Sequence, residues 1–229
     1  MEVHRPKPLH GLREFLKEIG IIVIGVLIAL GAEQAVEALH HRGQADEMQR
    51  KLRQEGVENR HVVVWDLAAC RGLQAELDRD IQAIGAALKA GRLPAAPEPL
   101  HPRPRYQIPD AAWVTIRDSA LLPIMPKLII DNHWRLDATR DAMQSATASA
   151  SARVSAVRAL IASAQERPMD EALAKDLLLA LEQSRDAEAN YCRLVAEFGR
   201  ENELALKGQV IDIEFETPPA GADARPVQP

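Results

Sequence analysis

Few side chains in this sequence have the types and spacing that chemistry requires. Two Glu-x-x-His pairs occur, Glu37 with His40 and Glu58 with His61. Metal-binding helical bundles draw such pairs from different helices that converge on the core, whereas both pairs here belong to one helical path. We therefore interpret them as exposed polar residues and expect no metal and no other cofactor.

The motifs of the common enzyme classes do not occur. The sequence has no glycine-rich phosphate loop, no Gly-x-Ser-x-Gly turn, and no His or Asp pattern around its two cysteines that would mark a nucleophile. Two cysteines are also too few for a four-thiolate zinc site. A net charge of −5 argues against the positive surface that nucleic acid requires. We predict a protein that is not an enzyme and binds no nucleic acid; an enzyme with an unrecognised site is the alternative.

The elements that would position any site are predicted to be helical. Aromatic residues make up 3 % of the chain, and abundant alanine suits closely packed helices better than a sheet. Apolar side chains recur every three or four residues in the segments 44–90, 127–166 and 169–207. With a short helix at 110–122, this pattern predicts an all-α fold, in which an N-terminal transmembrane helix continues into an antiparallel bundle of three long helices and one short helix.

The N-terminal helix contains an uninterrupted apolar run. Residues 19–32 have no polar side chain; as a helix they span ~21 Å, less than the ~30 Å hydrocarbon core of a bilayer. Flanking apolar residues extend the run, and every face of it is apolar. We interpret residues 19–39 as an uncleaved membrane anchor that follows a cytoplasmic tail, residues 1–18. A cleaved signal peptide and a buried helix of a soluble protein are the alternatives.

The same segment resembles a known group of proteins. The stretch LREFLKEIG at residues 12–20, running on into GVLIALGAEQAVE at residues 25–37, is similar to the start of uncharacterised bacterial proteins that look like single-pass membrane proteins with a helical domain of unknown function. The resemblance covers residues 12–42. It implies a bacterial membrane protein and brings no activity with it.

The orientation of the anchor follows from its flanking charges. Basic residues lie on both sides of the span, and Lys17 lies closest to it, which favours a cytoplasmic N-terminus. The bundle, residues 44–209, would then face the periplasm from the bacterial inner membrane and serve in sensing, scaffolding or contact with an unknown envelope protein. A cytoplasmic domain that acts as a coiled-coil or assembly partner is the alternative.

The segments between and after the helices are irregular. Residues 92–109 contain six prolines and predict an extended strap that lies on the bundle or crosses it. Residues 210–215 alternate in the pattern of a strand, and residues 216–229 are predicted to form a disordered tail. Trp113 and Tyr106, beside the strap, form the one aromatic pair that would suit a binding surface, although we interpret the tryptophans and Tyr191 as core residues.

One candidate site lies on the anchor itself. Gly25, Ala29 and Ala32 fall on one face of the helix, and Glu33 continues the row. Lipid tails give helices no hydrophobic reason to associate, so close backbone approach at small residues is a main source of attraction. We predict that this face packs two anchors into a homodimer within the lipid bilayer; a monomer is the alternative, because glycine and alanine are common in membrane helices.

The two cysteines form the second candidate site. If the long helices run up, down and up from the membrane, Cys70 and Cys192 lie ~39 and ~35 Å along parallel neighbouring helices. Similar heights would allow a disulfide in an oxidising periplasm. Two unpaired buried thiols are the alternative.

Overall fold

The all-α fold is confirmed by the computed structural model, which describes residues 11–101, 105 and 107–209. No strand occurs among these residues. The predicted strand at 210–215, the tail at 216–229 and Tyr106 lie outside the described residues, as do residues 1–10. The helices are α1 (Leu12–Lys89), α2 (Ala111–Arg117), α3 (Lys127–Glu166) and α4 (Glu171–Leu206), with a 3-10 turn at Leu122–Ile124.

Local sequence explains where the long helices end. Gly91 follows α1 with a φ of 65°, a left-handed conformation that glycine adopts without strain and that commonly ends a helix. At the start of α4, the Asp170 carboxylate accepts a hydrogen bond of 2.7 Å from the Leu173 N–H, which satisfies a backbone donor that the helix leaves free. α2 ends at Arg117, earlier than the predicted 110–122.

Three apolar clusters follow one another along α1 and reveal the direction of every helix. The first is built on Leu52 with Trp113, the second on Cys70 with Val195 and the third on Leu77 with Leu177. We call the end of the bundle at the first cluster arm-proximal and the end at the third cluster arm-distal.

The proline-rich strap carries the chain back along the whole bundle. Leu100 belongs to the arm-distal cluster, Ile108 to the middle cluster and Trp113 to the arm-proximal cluster. Helix α3 therefore begins at the arm-proximal end and runs parallel to α1, and α4 is antiparallel to both. The predicted up, down and up order of the long helices is wrong, because the extended strap makes the first return.

Helix α4 lies between α1 and α3 and packs on both. Two glycines allow it to approach α1 closely. A Cβ added to Gly199 would lie 2.7 Å from Cγ1 of Val63, and one added to Gly56 would lie 2.9 Å from Cδ2 of Leu206. On the other side, the alanine- and serine-rich segment 145–152 of α3 contributes Ala150, which is fully buried.

The first part of α1 projects from the bundle. We call residues 12–44 the arm; none of them is buried, and Ala45 is the first buried residue of the helix. Large apolar side chains in the arm are open to solvent, such as Ile22 at 64 % and Ile28 at 67 % exposure. By length and composition, α1 is long and apolar enough to cross a membrane.

The tryptophans divide between core and surface. Trp113 is 1 % exposed, whereas Trp65 is 55 % and Trp134 46 % exposed. The interpretation of all three as core residues is therefore wrong for two of them. On α1, the buried position next to Trp65 is taken by Asp66, which is 2 % exposed.

Candidate functional site

The arm-proximal and middle parts of the bundle bury ionisable side chains. We call this set the polar layer; its members are each at most 9 % exposed and are Glu55, Asp66, Asp137, Arg140, Glu188 and Glu201. Burial of a charge costs free energy unless the charge is paired and hydrogen-bonded. The partners of each member therefore show what the layer does.

Arg140 of α3 joins the short helix to the bundle. Its Nη1 atom lies 2.7 Å from Oδ1 of Asp137 and 3.4 Å from Oδ2 of Asp110, the residue before α2. The other oxygen of Asp137 accepts from Nη1 of Arg117 at 2.9 Å, at the end of α2. Both ends of α2 are thus tied to one arginine–carboxylate network on α3.

Glu55 of α1 holds the N-terminus of α2. Its carboxylate accepts a hydrogen bond of 2.7 Å from the Ala112 N–H, whereas Asp110 makes no side-chain cap. Burial raises the pKa of Glu55, and the Ala112 N–H and the charge of Arg140 oppose part of that rise. A carboxylate at this place also interacts favourably with the positive end of the helix dipole.

Arg105 fastens the strap to α4. Its Nη2 atom lies 2.6 Å from Oε2 of Glu188, and its guanidinium stacks 4.0 Å above the ring of Tyr191, an arrangement that the negative face of the ring favours. The Tyr191 hydroxyl in turn donates to Oδ2 of Asp66 on α1 at 2.8 Å. Burial, together with this hydrogen bond, raises the pKa of Tyr191 to about 12.

A disulfide joins α1 to α4 beside this cluster. Cys70 and Cys192 are bonded, with their Cα atoms 5.8 Å apart. They meet because α1 and α4 are antiparallel neighbours, not through the parallel arrangement from which the sequence predicted similar heights. Oε1 of Glu188 lies 3.8 Å from Sγ of Cys192.

Among the described residues, Cys70, Cys192 and Glu188 are the one group of three metal-ligating side chains whose ligand atoms lie within 4.8 Å of one another. In this oxidised form the sulfurs are bonded to each other and Glu188 is paired with Arg105. The group therefore acts as a structural clamp between the strap and two helices.

A cleft of about 260 Å³ opens between the strap, α3 and α4. It is lined by charged and polar side chains that include Arg105, Asp110, Arg140, Gln144 and Tyr191. Both arginines are already bound to carboxylates, and no histidine, cysteine or serine is among the described residues that line the cleft. Its chemistry suits contact and hydrogen bonding.

The candidate residues of the predicted anchor are separate from this layer. Gly25, Ala29, Ala32 and Glu33 lie in the exposed arm, and a Cβ added to Gly25 would meet no atom within 4 Å. The structure does not bring the two Glu-x-x-His pairs together. Their four residues are exposed on α1 and are Glu37, His40, Glu58 and His61.

No protein-family model, no curated protein and no solved structure matches the chain.

Sequence reasoning missed most of the polar layer. Glu55 interrupts the apolar register of residues 44–90, and this interruption was the available signal. Asp66 occupies the same stripe of α1 three turns later, and Arg105 lies in the strap, where no periodic pattern identifies a buried side chain.

Proposed function

We propose that this protein is a single-pass protein of the bacterial inner membrane whose helical bundle faces the periplasm and makes non-catalytic contacts with another envelope protein. The observation that carries the proposal is the arm. It is apolar on every face over residues 19–32 and unburied throughout, yet it belongs to the same unbroken helix as the bundle.

A lipid environment that surrounds the arm accounts for its exposed apolar side chains. Soluble proteins seldom expose an apolar patch larger than a few hundred Å², and a docking partner would require only one apolar face. A bilayer contacts every side of a helix, and the helix satisfies its own backbone hydrogen bonds there. The arm therefore has the properties of a membrane span.

The disulfide supports a periplasmic position for the bundle. Disulfides persist in oxidising compartments and are rare in the cytosol. Cys70 is 2 % exposed, so its bond to Cys192 belongs to the interior of the bundle rather than to its surface. The basic residue Lys17, next to the apolar run, favours the same orientation.

Membrane anchoring is tested by alkaline carbonate extraction of the full chain. We expect retention in the membrane fraction at full length. Ile24→Arg combined with Ile28→Arg should release the protein, because each arginine near the centre of a span costs roughly 2.5–3.5 kcal/mol on insertion. Leu179→Arg, at an exposed position of α4, is the matched control and should leave retention unchanged. A soluble product that begins near Ala32 would contradict the anchor and indicate a cleaved signal.

The side of the membrane is tested separately. A reporter that is active only in the periplasm, fused after the bundle, should be active. On non-reducing gels the protein should run faster than after reduction, since the bond between Cys70 and Cys192 closes a loop of 122 residues in sequence separation. Two thiols that are both alkylated under denaturing conditions, together with an inactive reporter, would place the bundle in the cytoplasm.

The small-residue face of the anchor has its own test. Gly25→Ile should weaken association in a membrane two-hybrid assay, because the larger side chain prevents close backbone approach. Val26→Ile, on another face of the same helix, is the control and should have no effect. Equal signals from both variants would favour a monomeric anchor.

A further inference from the structure

The side of α1 that points away from the bundle carries exposed apolar residues among polar ones. We call it the outer face; its exposed members include Arg50, Gln54, Val57, His61, Val64 and Ala68. Val57 is 43 % and Val64 57 % exposed, and the two are one heptad apart. This spacing is that of a seam along which two helices pack.

The outer face continues the small-residue face of the anchor. With 3.6 residues per turn, His61 lies roughly ten turns beyond Gly25, and Val57 roughly seven turns beyond Ala32. Leu52, which is buried against the bundle, lies a half-integral number of turns from Gly25 and so on the opposite side of the helix. Because α1 has no break, the two faces form one stripe along the helix.

Charged residues flank the outer face, and their order would place opposite charges next to each other in two parallel copies. Asp46 and Arg53 lie along one edge, and Lys51 and Glu58 lie along the other. In two parallel packed helices, a residue on the first edge meets the residue five positions later on the second edge of the partner helix. Asp46 would thus meet Lys51 of a second copy, and Arg53 would meet Glu58; both contacts join opposite charges.

The contacts that these charges make within the chain are few and exposed. Oε1 of Glu58 accepts a hydrogen bond of 3.1 Å from Nε2 of Gln54 on the same helix. Within the described part of the chain, neither Asp46 nor Arg53 takes part in an ion pair. Lys51 pairs with Glu47 at 2.9 Å, but both side chains are about half exposed, and an exposed pair of this kind contributes little stability. Lys51 can therefore exchange Glu47 for Asp46 of a second copy at little cost in free energy.

We propose that the outer face of α1 binds the same face of a second copy of this chain in parallel, with Asp46 paired to Lys51 and Arg53 paired to Glu58 between the copies. This inference rests on the proposed function, because an anchor in one membrane orients both copies alike. The anchor also raises the effective concentration of the second contact, which offsets the polar residues Arg50, Gln54 and His61 that the seam holds beside its valines.

Cysteine crosslinking in native membranes tests the seam. In a parallel symmetric pair, each outer-face residue lies beside its own counterpart. Val57→Cys and Val64→Cys should therefore form a reducible band at twice the monomer mass after mild oxidation, while the native pair, Cys70 and Cys192, is already bonded. Leu179→Cys, equally exposed on α4, is the control and should give at least several-fold less dimer.

A charge-exchange cycle tests the register in the Val57→Cys background. Arg53→Glu alone and Glu58→Arg alone each place like charges opposite one another and should lower the crosslinked fraction several-fold. The two changes together restore opposite charges and should restore the crosslink. Exchange of Lys175 and Glu171, an exposed pair within α4, should leave the crosslink unchanged.

The outcomes separate this inference from the proposed function. Retention after carbonate extraction without any crosslink at residues 57 and 64 overturns the parallel pair and leaves the anchor intact. A crosslinked band of another mass shows that a different protein occupies the outer face. Crosslinking of Leu179→Cys as efficient as that of Val57→Cys shows random collision, and both results overturn the inference.

Discussion

The two ends of the bundle use the same three helices but are stabilised by different physical effects. At the arm-distal end, Leu77, Leu177 and Leu181 are completely buried, and the cluster around them is apolar. The arm-proximal part buries carboxylates and a guanidinium against one another. Apolar contact is non-directional, whereas buried ions are stable only with particular partners.

The two ends therefore differ in what fixes the path of the chain. Long helices with apolar stripes can pack on each other through apolar contact alone. The strap and α2 have no such stripe, and four of the six members of the polar layer bind one or the other. Glu188 binds Arg105 of the strap, Glu55 binds the Ala112 N–H, and Asp137 and Arg140 bind the two ends of α2. We infer that the polar layer fixes the path by which the strap returns to the start of α3.

The largest effect is expected from the charge at the centre of the polar layer. Arg140→Met keeps an unbranched side chain but leaves Asp137 and Asp110 without this cation, and loss of one partner of a buried ion pair typically costs roughly 3–5 kcal/mol. Urea denaturation of the full chain in detergent, followed by far-UV circular dichroism, measures the free energy of unfolding. Arg140→Met combined with Asp137→Leu should recover much of the loss. A double variant as unstable as Arg140→Met alone would contradict the interpretation that Arg140 and Asp137 stabilise the fold as an ion pair.

A slightly smaller loss is expected at the arm-distal end. Leu77→Ala leaves a cavity at a position that is 0 % exposed and should cost about 3 kcal/mol. Leu179→Ala, at 55 % exposure, is the matched control and should change the free energy of unfolding by less than about 0.5 kcal/mol. Equal losses at the two positions would mean that this end is not a packed core.

The contrast also explains which features the sequence could predict. The apolar stripe gave α3 its bounds, Lys127–Glu166, as predicted, because periodic burial and helix-ending residues act locally. The path of the strap could not be predicted, since Arg105 and Glu188 are separated by 83 residues and an extended segment carries no periodicity. Trp65 was misassigned because hydrophobicity was used alone, while the neighbouring Asp66 is buried through its bond to Tyr191.

A moderate effect is expected where the polar layer joins α1 to α4. Tyr191→Phe removes the hydroxyl that donates to Asp66 and keeps the ring that Arg105 covers. Loss of one hydrogen bond to a buried charged group should lower the free energy of unfolding by about 1–2 kcal/mol. Asp66→Asn in the Tyr191→Phe background should cost less than Asp66→Asn alone, because the pair no longer exists. Strictly additive losses would show that the two side chains do not interact.

The smallest effect is expected in the pH dependence of the free energy of unfolding, to which Glu55 contributes. Burial raises the pKa of Glu55 above its ordinary value, so the folded protein binds a proton at a pH where the unfolded chain does not. The contribution of Glu55 to the free energy of unfolding therefore rises as pH falls from the raised pKa towards the ordinary one.

Glu55→Gln should remove this dependence, because the amide oxygen still accepts from the Ala112 N–H but takes up no proton. The difference in stability between wild type and Glu55→Gln is measured at several pH values from 7 down to 4.5. It should shift in favour of the wild type as pH falls. Leu77→Ala adds and removes no titrating group and should differ from the wild type by a nearly constant amount. A constant difference for Glu55→Gln as well would show that the carboxyl has the same pKa in the folded and unfolded chains. Glu55 would then not belong to the electrostatic difference between the arm-proximal and arm-distal ends.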